Sequence, residues 1–296
     1  MPVNVLLVLL VSGGVGFVSG LVGVGGGFIM TPSLIFLGVP APVAVATGAS
    51  QIAATSFSGI MTQTRRKSVD WRMGLLLSIG GIVGSTLGVW LFERLLRLGQ
   101  LDLIVSVLYL LLLAGVGWLM LAESIAVIRG RSSGAVTILR RPARTIAHQL
   151  PFRMRFPRSG LYISVIPPLA LGFFIGALAA VMGVGGGFIL IPAMIYLLRM
   201  PTNVVVGTSL FQVLVVTVLI VILQSTATQT VDLVLAALLM VGGVVGAQFG
   251  ARLGAGLKGE HIRALLGLLL LAASAKFAAD IVIPPAEMYT LGGGQW

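Results

Sequence analysis

Four stretches of this chain, Val3–Val22, Trp71–Leu91, Leu103–Ala122 and Val231–Phe249, are apolar over more than the roughly 18 residues that carry a helix across a bilayer. In hydrocarbon the backbone must satisfy its own hydrogen bonds, which leaves only helices and closed barrels. The stretches are rich in Leu, Val and Gly and lack the ten-residue alternation of a barrel strand. The expectation is an all-α polytopic membrane protein. Composition agrees: 9% of residues are charged and the mean hydropathy is +1.10, against about 25% charged in a soluble domain. The first stretch has no basic flank and runs straight into more membrane sequence, so no cleavable signal peptide is expected.

The chain repeats itself. Gly-Val-Gly-Gly-Gly-Phe-Ile at 23–29 recurs at 183–189, and Pro32 recurs as Pro192. Gly48-Ala49-Ser50 lines up with Gly207-Thr208-Ser209, and 69–88 matches 231–250 at nine of twenty positions. Each half reads as a helix, a Gly-rich break, a short helix and three more helices. The segments are 3–22, 28–38, 43–63, 71–92 and 102–122, then 161–182, 187–199, 203–223, 231–252 and 261–281. The organisation is a first membrane repeat over 1–122, a basic linker over 123–160 and a second membrane repeat over 161–296.

Lys and Arg orient the chain, because they collect in cytoplasmic loops. With the 64–72 loop and the 123–160 linker inside, only Arg94, Arg97 and Lys276 of the nineteen basic residues fall outside. Both termini are then periplasmic. The basic loop at 64–72 is inside while its counterpart at 224–230 is outside, so the halves are inverted. Inverted repeats with broken helices are a transporter design whose substrate site lies at the repeat interface. The net charge of +11 thus reports topology and contact with anionic lipid, and no nucleic-acid partner is expected. Residues 135–156 mix apolar side chains with arginines, which suits a segment lying on the bilayer surface.

The breaks are the candidate site: Gly23, Gly25, Gly26 and Gly27, with Gly183, Gly185, Gly186 and Gly187. A helix starting there presents free N–H groups and a positive dipole end, which suits an anion. Pro32 and Pro192 suit the first helical turn. The bland alternative is that the glycines only let helices cross closely. Ser50, Gln51, Thr208, Ser209 and Gln212 add hydroxyl and amide groups; interhelical glue is their competing role. Thr47, Gln51, Thr55, Ser58 and Thr62 share one helix face. Gly80, Gly84 and Gly88, and Gly242, Gly246, Gly250 and Gly254, read as packing faces.

All eight acids lie at segment ends or in loops, and Asp70 and Asp232 read as N-caps. No carboxylate stands at membrane depth to relay protons. The chain has no cysteine, and its two histidines, His148 and His261, lie outside the apolar runs. Neither a catalytic base at depth nor a metal cluster is available, so no enzyme activity, cofactor or metal is expected.

The paired GVGGGF-I-x-x-P segments, the helix starts at Gly48-Ala49-Ser50 and Gly207-Thr208-Ser209, and GAQFGARL at 246–253 resemble the sulfite exporter TauE/SafE family. The first half departs from the family pattern with Gly48-Ala49-Ser50-Gln51 in place of Gly-Thr-Ser-Leu, and Ser85-Thr86 in place of Ala-Gln. The resemblance implies a bacterial inner-membrane carrier for sulfite, sulfoacetate or other organosulfonates. An anion leaving a cell that is negative inside gains about 2.3 kcal/mol per charge per 100 mV, so export needs no coupling ion. The alternatives are ion-coupled uptake through H⁺ or Na⁺, and a non-transporting scaffold.

Overall fold

The structure is a computed structural model that describes residues 5–22, 25–128, 153–254 and 259–282. Ten helices lie among the described residues. They are α1 Val5–Val22, α2 Gly27–Phe36, α3 Ala41–Arg65, α4 Trp71–Arg97 and α5 Leu101–Ile128, then α6 Ile166–Met182, α7 Gly187–Tyr196, α8 Thr202–Ala227, α9 Leu233–Gly254 and α10 Gly259–Val282. Stretches of α4, α5, α8 and α9 are long and apolar enough to cross a membrane. The 25-residue α3 instead buries a polar face, with Thr47, Ser50, Gln51 and Thr55 all inside.

The first helix of each half packs on the fourth helix of the other, α1 on α9 and α6 on α4. The glycine stripes cause this. A Cβ on Gly84 would lie 2.0 Å from the Phe173 carbonyl oxygen, and one on Gly246 would lie 2.0 Å from that of Gly13. Backbones touch directly, which only a missing side chain permits. Between these pairs α3 lies against α8, and α5 pairs with α10 through Tyr109 stacked on Phe277 at 5.4 Å. Exchanging the halves maps each of these four pairings onto itself or another of them.

Two hydrogen bonds fix how α3 and α8 lie. The Asp70 N–H, at the head of α4, donates to Thr208 Oγ1 near the start of α8 at 3.0 Å. The Asp232 N–H donates to Thr47 Oγ1 near the start of α3 at 3.1 Å. Each helix therefore starts beside the end of the other, and the two run antiparallel. The same bonds correct the register of the repeat. Thr47 answers to Thr208 and Gln51 to Gln212, two residues away from the alignment of Gly48-Ala49-Ser50 on Gly207-Thr208-Ser209. Packing against the opposite half decides the match, and a three-residue likeness does not.

The segment expected as helix from 161 begins as a strand. β1 Arg153–Phe156 and β2 Leu161–Ser164 pair antiparallel, with Phe156 opposite Leu161, and α6 starts at Ile166. The turn closes through Gly160 at φ +65°, and Phe156 and Ile163 are buried against Met73 and Leu77 of α4. Ser159 in this turn donates from both N–H and Oγ to Asp70 Oδ2, at 3.0 and 2.6 Å. Asp70 Oδ1 accepts from the Met73 N–H, and Asp232 Oδ1 from the Val234 and Leu235 N–H groups. Both carboxylates are helix caps, as their positions suggested. At the other edge of the linker, α5 continues past 122 to Ile128, while 129–152 lies outside the described residues.

Candidate functional site

The breaks are built by glycine in conformations other residues resist. Gly25 and Gly26 take φ +88° and +79°, and Gly185 and Gly186 take +70° and +71°. In the left-handed region an L side chain costs roughly 1–2 kcal/mol. Gly26 and Gly186 are the N-caps of α2 and α7. These helices start at Gly27 and Gly187, earlier than proline placement suggested. Pro32 and Pro192 consequently sit inside their helices and not in the first turn. Their missing N–H groups leave the Phe28 and Phe188 carbonyls without the usual helical donor.

The two breaks meet. A Cβ on Gly27 would fall 2.3 Å from the Val184 carbonyl oxygen and 2.2 Å from Ile52 Cδ1. Gly25 and Gly185 both face Ile52 of α3 and Val213 of α8, the corresponding residues of the two halves. Phe28 and Phe188 pack with ring centroids 5.5 Å apart. Gly183 ends α6 at φ +68°, and its carbonyl accepts from Thr31 Oγ1 at 3.1 Å. Gly23 lies outside the described residues.

A cavity of about 860 Å³ opens beside the first break, walled by α1, α3, α8 and α9. Its deep end holds Gly25, Ser19 and Thr55; its mouth holds Arg65, Arg66 and Arg252. Ser58 and Thr62 line the wall between, on the α3 face that also carries Thr55. Thr55 Oγ1 donates at 3.0 Å to the Gly25 carbonyl, or to its own helix. Ser56 Oγ is buried beside Gly25 with no hydrogen-bond partner. Arg72 and Arg158 occupy the same end of the bundle, donating to the carbonyls of Arg155 and Lys67. Arg94 and Arg97, at the far end of α4, lie at the opposite end.

The other expected residues divide. Thr208 and Ser209 hydroxyls donate to the Val204 and Val206 carbonyls of their own helix, and Ser50 is buried on α3. Gln51 and Gln212 are both buried, but they do not converge on the breaks. Gln51 lies over Gly243 of α9 and Gln212 over Gly81 of α4. Sequence inspection passed over Ser19 and Ser56, since one hydroxyl beside a break has no periodic signal. It used Arg65, Arg66 and Arg252 for topology alone and missed that they share one mouth.

A duplicated helical membrane bundle, two broken helices meeting inside it and a deep cavity with a cationic mouth define a membrane transporter. The family described as sulfite exporter TauE/SafE matches residues 8–277. The chain belongs to the sulfite exporter TauE/SafE family, and is a membrane transporter rather than an enzyme. It is 30% identical over 256 residues to a probable membrane transporter protein of Xylella fastidiosa (strain 9a5c), covering 86% of each chain. It is 28% identical over 252 residues to the probable membrane transporter protein YunE of Bacillus subtilis, covering 81% of this chain and 83% of that one. No solved structure matches the chain.

Proposed function

We propose that this protein exports small sulfur-containing anions, sulfite, sulfoacetate or other organosulfonates, across a bacterial inner membrane, driven by the membrane potential. The observation that carries the proposal is the cavity: three arginines at its mouth, and hydroxyls and a broken backbone at its floor. Charge at the mouth concentrates anions. At the floor the groups are neutral, Ser19, Thr55 and the main chain at Gly25, with Ser56 buried behind Gly25. A neutral site holds an anion without trapping it, which a carrier requires.

The arginine-bearing end is the cytoplasmic one in this reading, with the 123–160 linker inside and both termini periplasmic. The antiparallel run of α3 and α8 supports halves of opposite orientation, 1–122 and 161–296. The cavity then faces the cytoplasm, on the loading side of an exporter. Asp70 and Asp232 are occupied as helix caps, which supports uncoupled exit over proton-coupled uptake.

The test loads proteoliposomes with sulfite or sulfoacetate and varies the potential at constant pH. Efflux should accelerate when the compartment facing the arginine mouth is made negative. Flux that follows a proton or sodium gradient and ignores potential would replace export with coupled transport.

A further inference from the structure

The open cavity has a counterpart that is shut. Its wall includes Ser19, Gly20, Thr55, Gly59, Leu210 and Ala251. The corresponding residues of the other half are Ala179, Ala180, Val216, Ile220, Ala49 and Val89. Those six are the buried members of one packed apolar cluster where α4, α6 and α8 meet Ala49 of α3. The helices that part at one end of the bundle thus have counterparts that are zipped at the other. Where the open side has Gly59 and Thr55, the closed side has Ile220 and Val216, both fully buried.

One turn below each wall lies a glutamine. Gln51 Nε2 donates to Ser12 Oγ at 3.4 Å, and the Ser12 hydroxyl donates in turn to the Leu239 carbonyl at 2.6 Å. Gln212 has no such help, because Gly172 stands where the first half has Ser12. Both Gln212 Nε2 and Gln212 Oε1 are buried without a partner. A buried amide with neither end paired is costly and rare in a folded protein. It makes sense in a group that finds its partner in another state of the molecule.

We propose that the packed crevice between α4, α6 and α8 is the second half of the anion path, with Val216 and Ile220 as its gate and the Gln212 amide as the anion ligand at its floor. This rests on the transport reading above. When the crevice opens, Gln212 Nε2 donates to an oxyanion oxygen in place of the partner that Gly172 does not supply. The opened crevice exposes Ala179, Ala180, Val216 and Ile220, and the arginines at its end of α4 are already engaged, Arg97 with Glu93 and Arg94 over the Trp90 ring, so an anion reaching it is released. The polar, cationic side loads and the apolar side discharges.

The chain has no cysteine, so single thiols report without background. In oriented proteoliposomes, Ile220→Cys and Val216→Cys are exposed to a membrane-impermeant maleimide, with sulfoacetate as the anion because sulfite itself attacks maleimides. Reaction from the side opposite the arginine mouth, at a rate raised severalfold by sulfoacetate, is the expected result. Ser58→Cys should react only from the arginine side. Failure of both gate thiols to react from the opposite side, or reaction from the arginine side, overturns the second path. Flux through the cysteine-free chain is read separately and judges the transport proposal itself. Gln212→Leu tests the ligand. Its melting temperature should hold or rise, since an unpaired amide is removed, while sulfoacetate flux falls at least tenfold. Flux within twofold of the parent would show that Gln212 is no ligand.

Discussion

The main-chain N–H of Asp70 donates to the hydroxyl of Thr208, 138 residues away, at 3.0 Å. Its mirror is the Asp232 N–H on Thr47. Each bond ties the head of a helix in one half to a helix start in the other. Thr208→Val keeps the shape and strands a buried N–H, so it should cost about 1–3 kcal/mol. Thr47→Val should cost a similar amount. The bonds lie at opposite ends of α3 and α8, so the double variant should show nearly the sum. Unfolding in detergent measures all three, and unchanged stability would mean the bonds are incidental.

The break where the halves meet gives a sharper contrast. Gly27→Ala drives a methyl into Ile52 Cδ1 and into the Val184 carbonyl, and the carbonyl cannot retreat without moving the second break. Transport should fall below a tenth of the parent. Gly38 has the positive φ, +82°, that Gly27 lacks, but a Cβ there meets nothing within 4 Å. Gly38→Ala should cost about 1 kcal/mol of stability and leave flux intact. Equal flux for the two variants would show that the close meeting of the breaks at Gly27 does not matter to transport.

The crossing glycines should respond to a single methyl. Gly84→Ala and Gly246→Ala each bring Cβ to 2.0 Å from a carbonyl oxygen of the partner helix. Prying α4 from α6, or α9 from α1, should cost about 1–3 kcal/mol. Gly115→Ala, on α5 with open space around it, should be neutral or stabilising. Size-exclusion profiles and melting temperatures of the three distinguish packing from simple helix propensity.

The arginine mouth acts at a distance. Replacing Arg65, Arg66 and Arg252 by Gln removes the field that draws anions to the cavity, without touching its floor. The apparent KM from that side should rise several-fold with kcat little changed. Exposed charges are screened over about 8 Å at 0.15 M salt, so the difference should shrink as ionic strength rises. A KM shift independent of salt would mean that an arginine binds the anion directly.

The sequence by itself determined the membrane class, the twofold repeat and the places where helices break. Those depend on local properties: run length, apolar content, and glycine runs that cannot hold a helix. The aspartate caps at 70 and 232 were legible for the same reason, being contacts within one turn. The hairpin at 153–164 was not, because its four-residue strands are held by burying Phe156 and Ile163 against α4. Tertiary structure alone decided that Gly27 meets Val184, that the two glutamines turn to different helix pairs, and that only Gln51 finds a partner. Gly27 with Val184 and each glutamine with its glycine join opposite halves of the chain, and Gln51 reaches Ser12 across 39 residues of its own half. In a chain this apolar, nearly every helix face looks fit for burial, so periodicity cannot say which face meets which neighbour. The asymmetry between the open cavity and the shut crevice is of the same kind. It lies in Gly59 against Ile220 and Thr55 against Val216, pairs that become equivalent only once the halves are packed together.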